Sequence, residues 1–85
     1  MKAFDFVITD PEGIHARPAG LLVKEAAKYA SAVTLEKGAK KADAKRIFAV
    51  MGLTAKKGET LHVTVEGADE ADAAAAMETF LKNNL

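Results

Sequence analysis

Hydrophobic and polar residues alternate from Ala3 to Thr9, with Phe4, Phe6 and Ile8 on one face and Asp5, Val7 and Thr9 on the other. A period of two is the mark of a strand with one buried face. Asp10-Pro11-Glu12-Gly13 breaks the pattern with turn-forming residues, and from Pro18 the period changes: Ala19, Leu22, Val23, Ala26 and Ala30 recur at helical spacing. Val33 and Leu35 alternate with Thr34 and Glu36 in a second strand; Lys37-Gly38 turns the chain into a short polar third strand over Lys40 to Asp43, and the pair reads as a hairpin. A brief helix over Lys45 to Met51 carries Ile47, Val50 and Met51. Lys56-Lys57-Gly58 then leads into a strand that turns Leu61, Val63 and Val65 inward and His62 outward, closed by Gly67. Asp69 is placed to cap the last helix, with Asp72 in the capping-box position, and Ala73, Met77, Phe80 and Leu81 form its buried stripe. The order strand, helix, strand, strand, helix, strand, helix predicts an α+β domain with helices on one face of a sheet. Periodicity alone leaves the strand order open.

The chemistry concentrates in Gly13-Ile14-His15-Ala16-Arg17-Pro18-Ala19, at the junction between the first turn and the first helix. Histidine is the side chain whose ordinary pKa, about 6.5, leaves much of it neutral and nucleophilic near physiological pH. Arg17 stays cationic. The first amides of a helix have no partner inside it and carry the positive end of its dipole, so they favour an anion just outside, while Pro18 fits a first turn where an N–H is not needed. An imidazole, a guanidinium and free amides are together the donor set for a phosphoryl group. On this reading His15 accepts the phosphoryl group, Arg17 balances its charge, and Ala16, Arg17 and Pro18 form the phosphate-binding turn.

The segment from Gly13 to Ala19 meets the signature Gly-[Ile/Leu]-His-[Ala/Thr]-Arg-Pro-Ala without a mismatch, and Val50-Met51, Gly58 and Gly67-Ala68-Asp69-Glu70 extend the likeness along the whole chain. In these residues the chain resembles the HPr family of phosphocarriers of the bacterial sugar phosphotransferase system. That resemblance implies an open-faced β-sandwich in which a four-stranded antiparallel sheet, in the order 1-4-2-3, is covered on one face by three helices. It also implies phosphorylation at Nδ1 of His15, with enzyme I as donor and enzyme IIA proteins as acceptors. The chain would then be a shuttle rather than an enzyme. A phosphohistidine-dependent regulator, including a nitrogen-type carrier, is a second function open to the same motif.

The second helix is crowded with large apolar residues: either all of them are core, or Phe48, the one that the inward stripe of Ile47, Val50 and Met51 leaves over, lies on the surface, and periodicity leaves both open. By resemblance, the docking surface for both partners comprises Gly20, Leu21, Lys24 and Ala27 with Arg46, Ile47, Phe48, Met51 and Leu53. Lys24, Lys45 and Arg46 would give it a basic rim that steers acidic partners. The chain departs from the family at Arg46, where many relatives carry a regulatory serine, at Thr54, often glycine, and at Glu12, which adds a negative charge near His15. Arginine at that helix start opposes the dipole unless Asp43 offsets it.

Composition narrows the alternatives. Eighty-five residues suffice for a single domain over 1–85 with a small core. Twelve basic and twelve acidic residues give zero formal charge and no general reason to bind nucleic acid or an anionic membrane. Without cysteine there is no disulfide framework, thiolate metal site or cysteine nucleophile. No signal pattern or membrane-length apolar run is present, so the expectation is a cytoplasmic, monomeric protein with no metal and no cofactor. His62 has no second ligand nearby and reads as a sheet-surface histidine, and Asp69, Glu70 and Asp72 read as helix-start acids.

Overall fold

The computed structural model describes residues 1–85. Strand β1 spans Lys2–Val7, helix α1 Ala16–Ala26, β2 Ala32–Lys37, β3 Lys40–Asp43, α2 Ile47–Gly52, β4 Thr60–Glu66 and α3 Glu70–Asn84. The strands form one antiparallel sheet in the order β1-β4-β2-β3, with the hairpin β2-β3 at one edge and β4 inserted between β1 and β2. Alternation decides which side is covered. Leu61, Val63 and Val65 of β4 and Val33 and Leu35 of β2 are buried, and their neighbours His62, Glu66 and Ala32 are exposed. The three helices lie over the buried side, and the other face is left to water. There Asp5 and His62 stand opposite each other in register, and Asp5 Oδ1 lies 2.6 Å from His62 Nδ1.

One contiguous core of 19 residues joins the layers, with Leu22 and Ala26 from α1, Val50 from α2, and Ala73, Met77 and Leu81 from α3 fully buried on the sheet's apolar face. Each large aliphatic side chain removed from water contributes about 2 kcal/mol, which is how so short a chain offsets the entropy of ordering three helices. Phe80 is only half-buried at the margin of this core.

The structure departs from the periodic reading at the helix ends. Helix α1 begins at Ala16, two residues before Pro18, and stops at Ala26, with Ala27 as its C-cap; Ala30, expected in the buried stripe, is exposed. Helix α2 begins at Ile47 with Arg46 as its N-cap residue, so Lys45 precedes it. Asp69 stands at the N-cap of α3, but its side chain makes no capping bond. Its carboxylate instead accepts the amides of Ala30 and Ser31, each at 2.9 Å, and the Ser31 hydroxyl. Three donors from the α1–β2 connection outcompete one amide of its own helix. Glu70, rather than Asp72, reaches back across the turn, accepting the Gly67 amide at 3.3 Å. Gly67 is required here, since at φ +153° an added Cβ would lie 2.7 Å from Ser31 Cα.

Candidate functional site

The loop before α1 is anchored at both ends. The amides of Thr9 and Asp10 donate to the Leu85 carbonyl at 2.7 and 2.8 Å, which joins the loop to the end of α3. Asp10 then organises the turn: its Oδ1 accepts the Glu12 amide at 2.8 Å and its carbonyl accepts the Gly13 amide at 2.9 Å. Gly13 sits at φ +66°, where an added Cβ would come within 2.3 Å of the Ala55 carbonyl oxygen and 2.8 Å of Lys56 Cα. Both the left-handed backbone and the close approach exclude a side chain. One residue on, the Ile14 amide donates to the same Ala55 carbonyl at 2.9 Å and the Ile14 side chain is buried. The segment after α2 is therefore the floor on which His15 is presented.

His15 is the N-cap residue of α1, with extended backbone at φ −131° and ψ −176°. Its carbonyl accepts the Ala19 amide at 3.0 Å and so begins the helix, but its ring makes no capping bond. The ring reaches solvent, with the side chain 39% exposed; its Nε2 lies 3.5 Å from Glu12 Oε2, and Nδ1 has no hydrogen-bond partner. The amides of Ala16 and Arg17 donate to no backbone acceptor, and Pro18, buried in the first turn, has none to donate. Arg17 is exposed and its guanidinium makes neither an ion pair nor a hydrogen bond. A helix start with free amides, an unengaged cation and an unbonded imidazole nitrogen is the donor set that an anion beside the ring requires.

Around His15 a shallow depression is lined by Arg17, Pro18 and Leu21 of α1, Asp10 of the preceding loop, and Asn83 and Asn84 at the end of α3. The asparagines escaped the sequence reading. They lie almost seventy positions from His15, and only the Leu85 contacts with Thr9 and Asp10 bring them alongside. No group of three or more His, Cys, Asp or Glu side chains is placed to hold a metal.

Most of the expected docking residues share one face. Leu21, Lys24 and Ala27 are exposed along α1, Phe48 is 85% exposed on α2, and Ile47 and Met51 are half-buried beneath it. The two helices meet where Gly20 faces the Ile47 side chain. Leu53 is a correction: at 1% exposure it belongs to the core, because the chain turns inward there after α2. The basic rim also loses a member, since Lys45 Nζ donates to the Tyr29 carbonyl at 2.8 Å beyond the end of α1. Arg46 remains exposed and unpaired. Asp43 does not offset it, because that carboxylate accepts the Lys45 amide at 2.9 Å.

Comparison with known proteins places this arrangement in context. Residues 2–83 match the family model described as the PTS HPr component phosphorylation site. The phosphocarrier protein HPr of Lysinibacillus sphaericus is 46% identical over 81 residues, covering 95% of this chain and 92% of that protein. Among solved structures, the histidine-containing phosphocarrier protein of Mycoplasma superposes with a TM-score of 0.93 at 34% identity, covering 96% of this chain and 93% of the other. HPr-C-His from Thermoanaerobacter tengcongensis gives the same TM-score at 36% identity, covering 99% and 94%; another structure from that organism is an HPr dimer. The fold, the strand order and nearly the whole length agree, and the chain belongs to the HPr family of phosphocarriers of the phosphotransferase system.

Proposed function

We propose that this protein relays a phosphoryl group from phosphorylated enzyme I to enzyme IIA proteins by way of a phosphohistidine at His15. The observation that carries this reading is the partnerless Nδ1 of the exposed His15 ring beside an unpartnered Arg17 and the free amides of Ala16 and Arg17. In the forward step the lone pair on Nδ1 of the neutral ring attacks phosphorus in line. The bond from phosphorus to its carrier atom on enzyme I breaks, with its electron pair returning to that atom. Charge on the transferred group, about −1.5 to −2, is then met by the guanidinium and the helix-end amides. Most of the acceleration in such a reaction comes from positioning and charge balance, which this rigid loop and helix start supply without a deep pocket.

Exposure of the ring suits a carrier. The phosphoryl group must be reachable by two proteins in turn, so strong burial or saturation with donors would hold it too tightly. Leu21, Phe48 and Met51 are proposed as the apolar centre of one docking face used by both partners, with Lys24 and Arg46 at its rim. The acting form is proposed to be a cytoplasmic monomer.

Incubation with enzyme I and phosphoenolpyruvate, followed by addition of an enzyme IIA protein, tests the relay. The expected result is one acid-labile, base-stable phosphate on the wild-type protein that is lost when the IIA protein is added, and none on His15→Ala. Acid-labile label persisting on the His15→Ala variant, or a label that IIA proteins cannot remove, contradicts it.

A further inference from the structure

We infer that Glu12 is a positioning residue for His15: its carboxylate holds the proton on Nε2, so that Nδ1 presents the lone pair and the ring keeps that proton throughout transfer. The inference deepens the carrier reading and rests on it for its functional meaning. The geometry is local. Glu12 Oε2 stands 3.5 Å from His15 Nε2, on the edge of the ring opposite Nδ1. Two hydrogen bonds fix the backbone that carries it, the Glu12 amide to Asp10 Oδ1 at 2.8 Å and the Gly13 amide to the Asp10 carbonyl at 2.9 Å. The Glu12 side chain is 75% exposed and has no other ion-pair partner. Of the other charged groups at the ring, Asp10 is engaged by the Glu12 amide, and Arg17 lies on the first turn of α1, where the phosphoryl group would sit.

The chemical consequence concerns the leaving group. A neutral imidazole has one N–H and one lone pair, and the acceptor beside one nitrogen decides which is which. With a carboxylate at Nε2 the proton resides there. When Nδ1 attacks, the N–P bond forms and Nε2 keeps its proton, giving a cationic phosphoimidazole that Glu12 balances. When the phosphoryl group moves on, the N–P electron pair returns to Nδ1 and the ring departs as neutral imidazole. No proton has to be fetched or released at either step. Without the carboxylate nothing favours the proton at Nε2, and the tautomer that carries it on Nδ1 has no lone pair there with which to attack.

Two measurements on the wild type and Glu12→Gln test this. Nitrogen NMR of the unphosphorylated protein, above the titration range of the ring, should find the proton on Nε2 in the wild type and a smaller Nε2–H fraction in the variant. A proton on Nδ1 in the wild type, or identical populations in both proteins, would overturn the inference. Both proteins are then phosphorylated with phosphoramidate, without enzyme I, and loss of the phosphoryl group to water is followed at one neutral pH. Loss should be slower in Glu12→Gln, and the difference from the wild type should shrink in concentrated salt. Coincident rates would also overturn it. Failure of the wild type to take up phosphate sinks the carrier reading instead, while the NMR result still decides the role of Glu12.

Discussion

The two ends of α1 treat polar groups in opposite ways. At the C-terminal side, the connection to β2 is tied down: Asp69 accepts the amides of Ala30 and Ser31 and the Ser31 hydroxyl, and Lys45 Nζ donates to the Tyr29 carbonyl. Ser31 is buried there. At the N-terminal side, the Ala16 and Arg17 amides, the Arg17 guanidinium and Nδ1 of His15 have no partner within the protein. Both ends belong to one helix of 11 residues with a well-buried inner face, so the difference does not arise from poor folding. Polar groups that serve the fold are satisfied within it. Those left open, on a rigid support and facing water, are available to a ligand or partner.

This contrast is sharpened or broken by substitutions. The largest effect is expected from Gly13→Ala, which places a methyl group on the Ala55 carbonyl and strains a left-handed backbone. Denaturant unfolding should show a loss of about 2 kcal/mol or more, with slower phosphorylation because the floor beneath His15 shifts. Arg17→Ala should leave unfolding unchanged and slow phosphoryl transfer by about tenfold to a hundredfold, the worth of one charge-assisted contact, measured as single-turnover rates with enzyme I. An equal loss of stability would mean that Arg17 serves the fold. Phe48→Ser should weaken partner binding by about tenfold in titration calorimetry, with no loss of stability, as 85% of the residue is already exposed.

Asp69→Asn probes the closed end and should change pH dependence more than activity. The Ser31 hydroxyl, followed by the Ala30 amide, holds the Asp69 carboxyl below the usual aspartate range. A carboxylate with a lowered native pKa stabilises the fold fully above its unfolded value, about 3.9, and that contribution is lost as pH falls through the native value. Thermal unfolding of the wild type should therefore weaken as pH drops below about 4, and the variant should show a shallower slope there. Some slope should remain, because Glu59, through the Lys56 amide, and Glu70, through the N-terminal amine, are lowered in the same direction. Phosphoryl transfer at neutral pH should be nearly unchanged.

Strand alternation made the sheet legible, because a period of two maps directly onto a covered and an open face: Leu61, Val63 and Val65 went in and His62 out, as read. Phe48 was less legible: the inward stripe of a two-turn helix singled it out but left an all-core helix open, and family resemblance decided for the surface, where it lies. The strand order came from family resemblance, because pairing β4 between β1 and β2 is a long-range choice on which local periodicity is silent. The errors lie where tertiary partners override local rules. Asp69 stands at the N-cap of its helix as read, but its side chain serves a connection 38 residues away instead of capping. Leu53 looked like surface and is core, and Lys45 looked like a free rim charge and is held by Tyr29. Nothing near His15 in the sequence announces Asn83 and Asn84.

The proposal that the open end of α1 receives the phosphoryl group meets its sharpest check in amide proton and nitrogen shifts recorded before and after phosphorylation. Large shifts are expected at Ala16 and Arg17, where unbonded amides acquire phosphate oxygens, and almost none at Ala30 and Ser31, whose donors are already taken by Asp69. Unmoved Ala16 and Arg17 amides in a protein phosphorylated on His15, or changes centred on the other end of the helix, would contradict it.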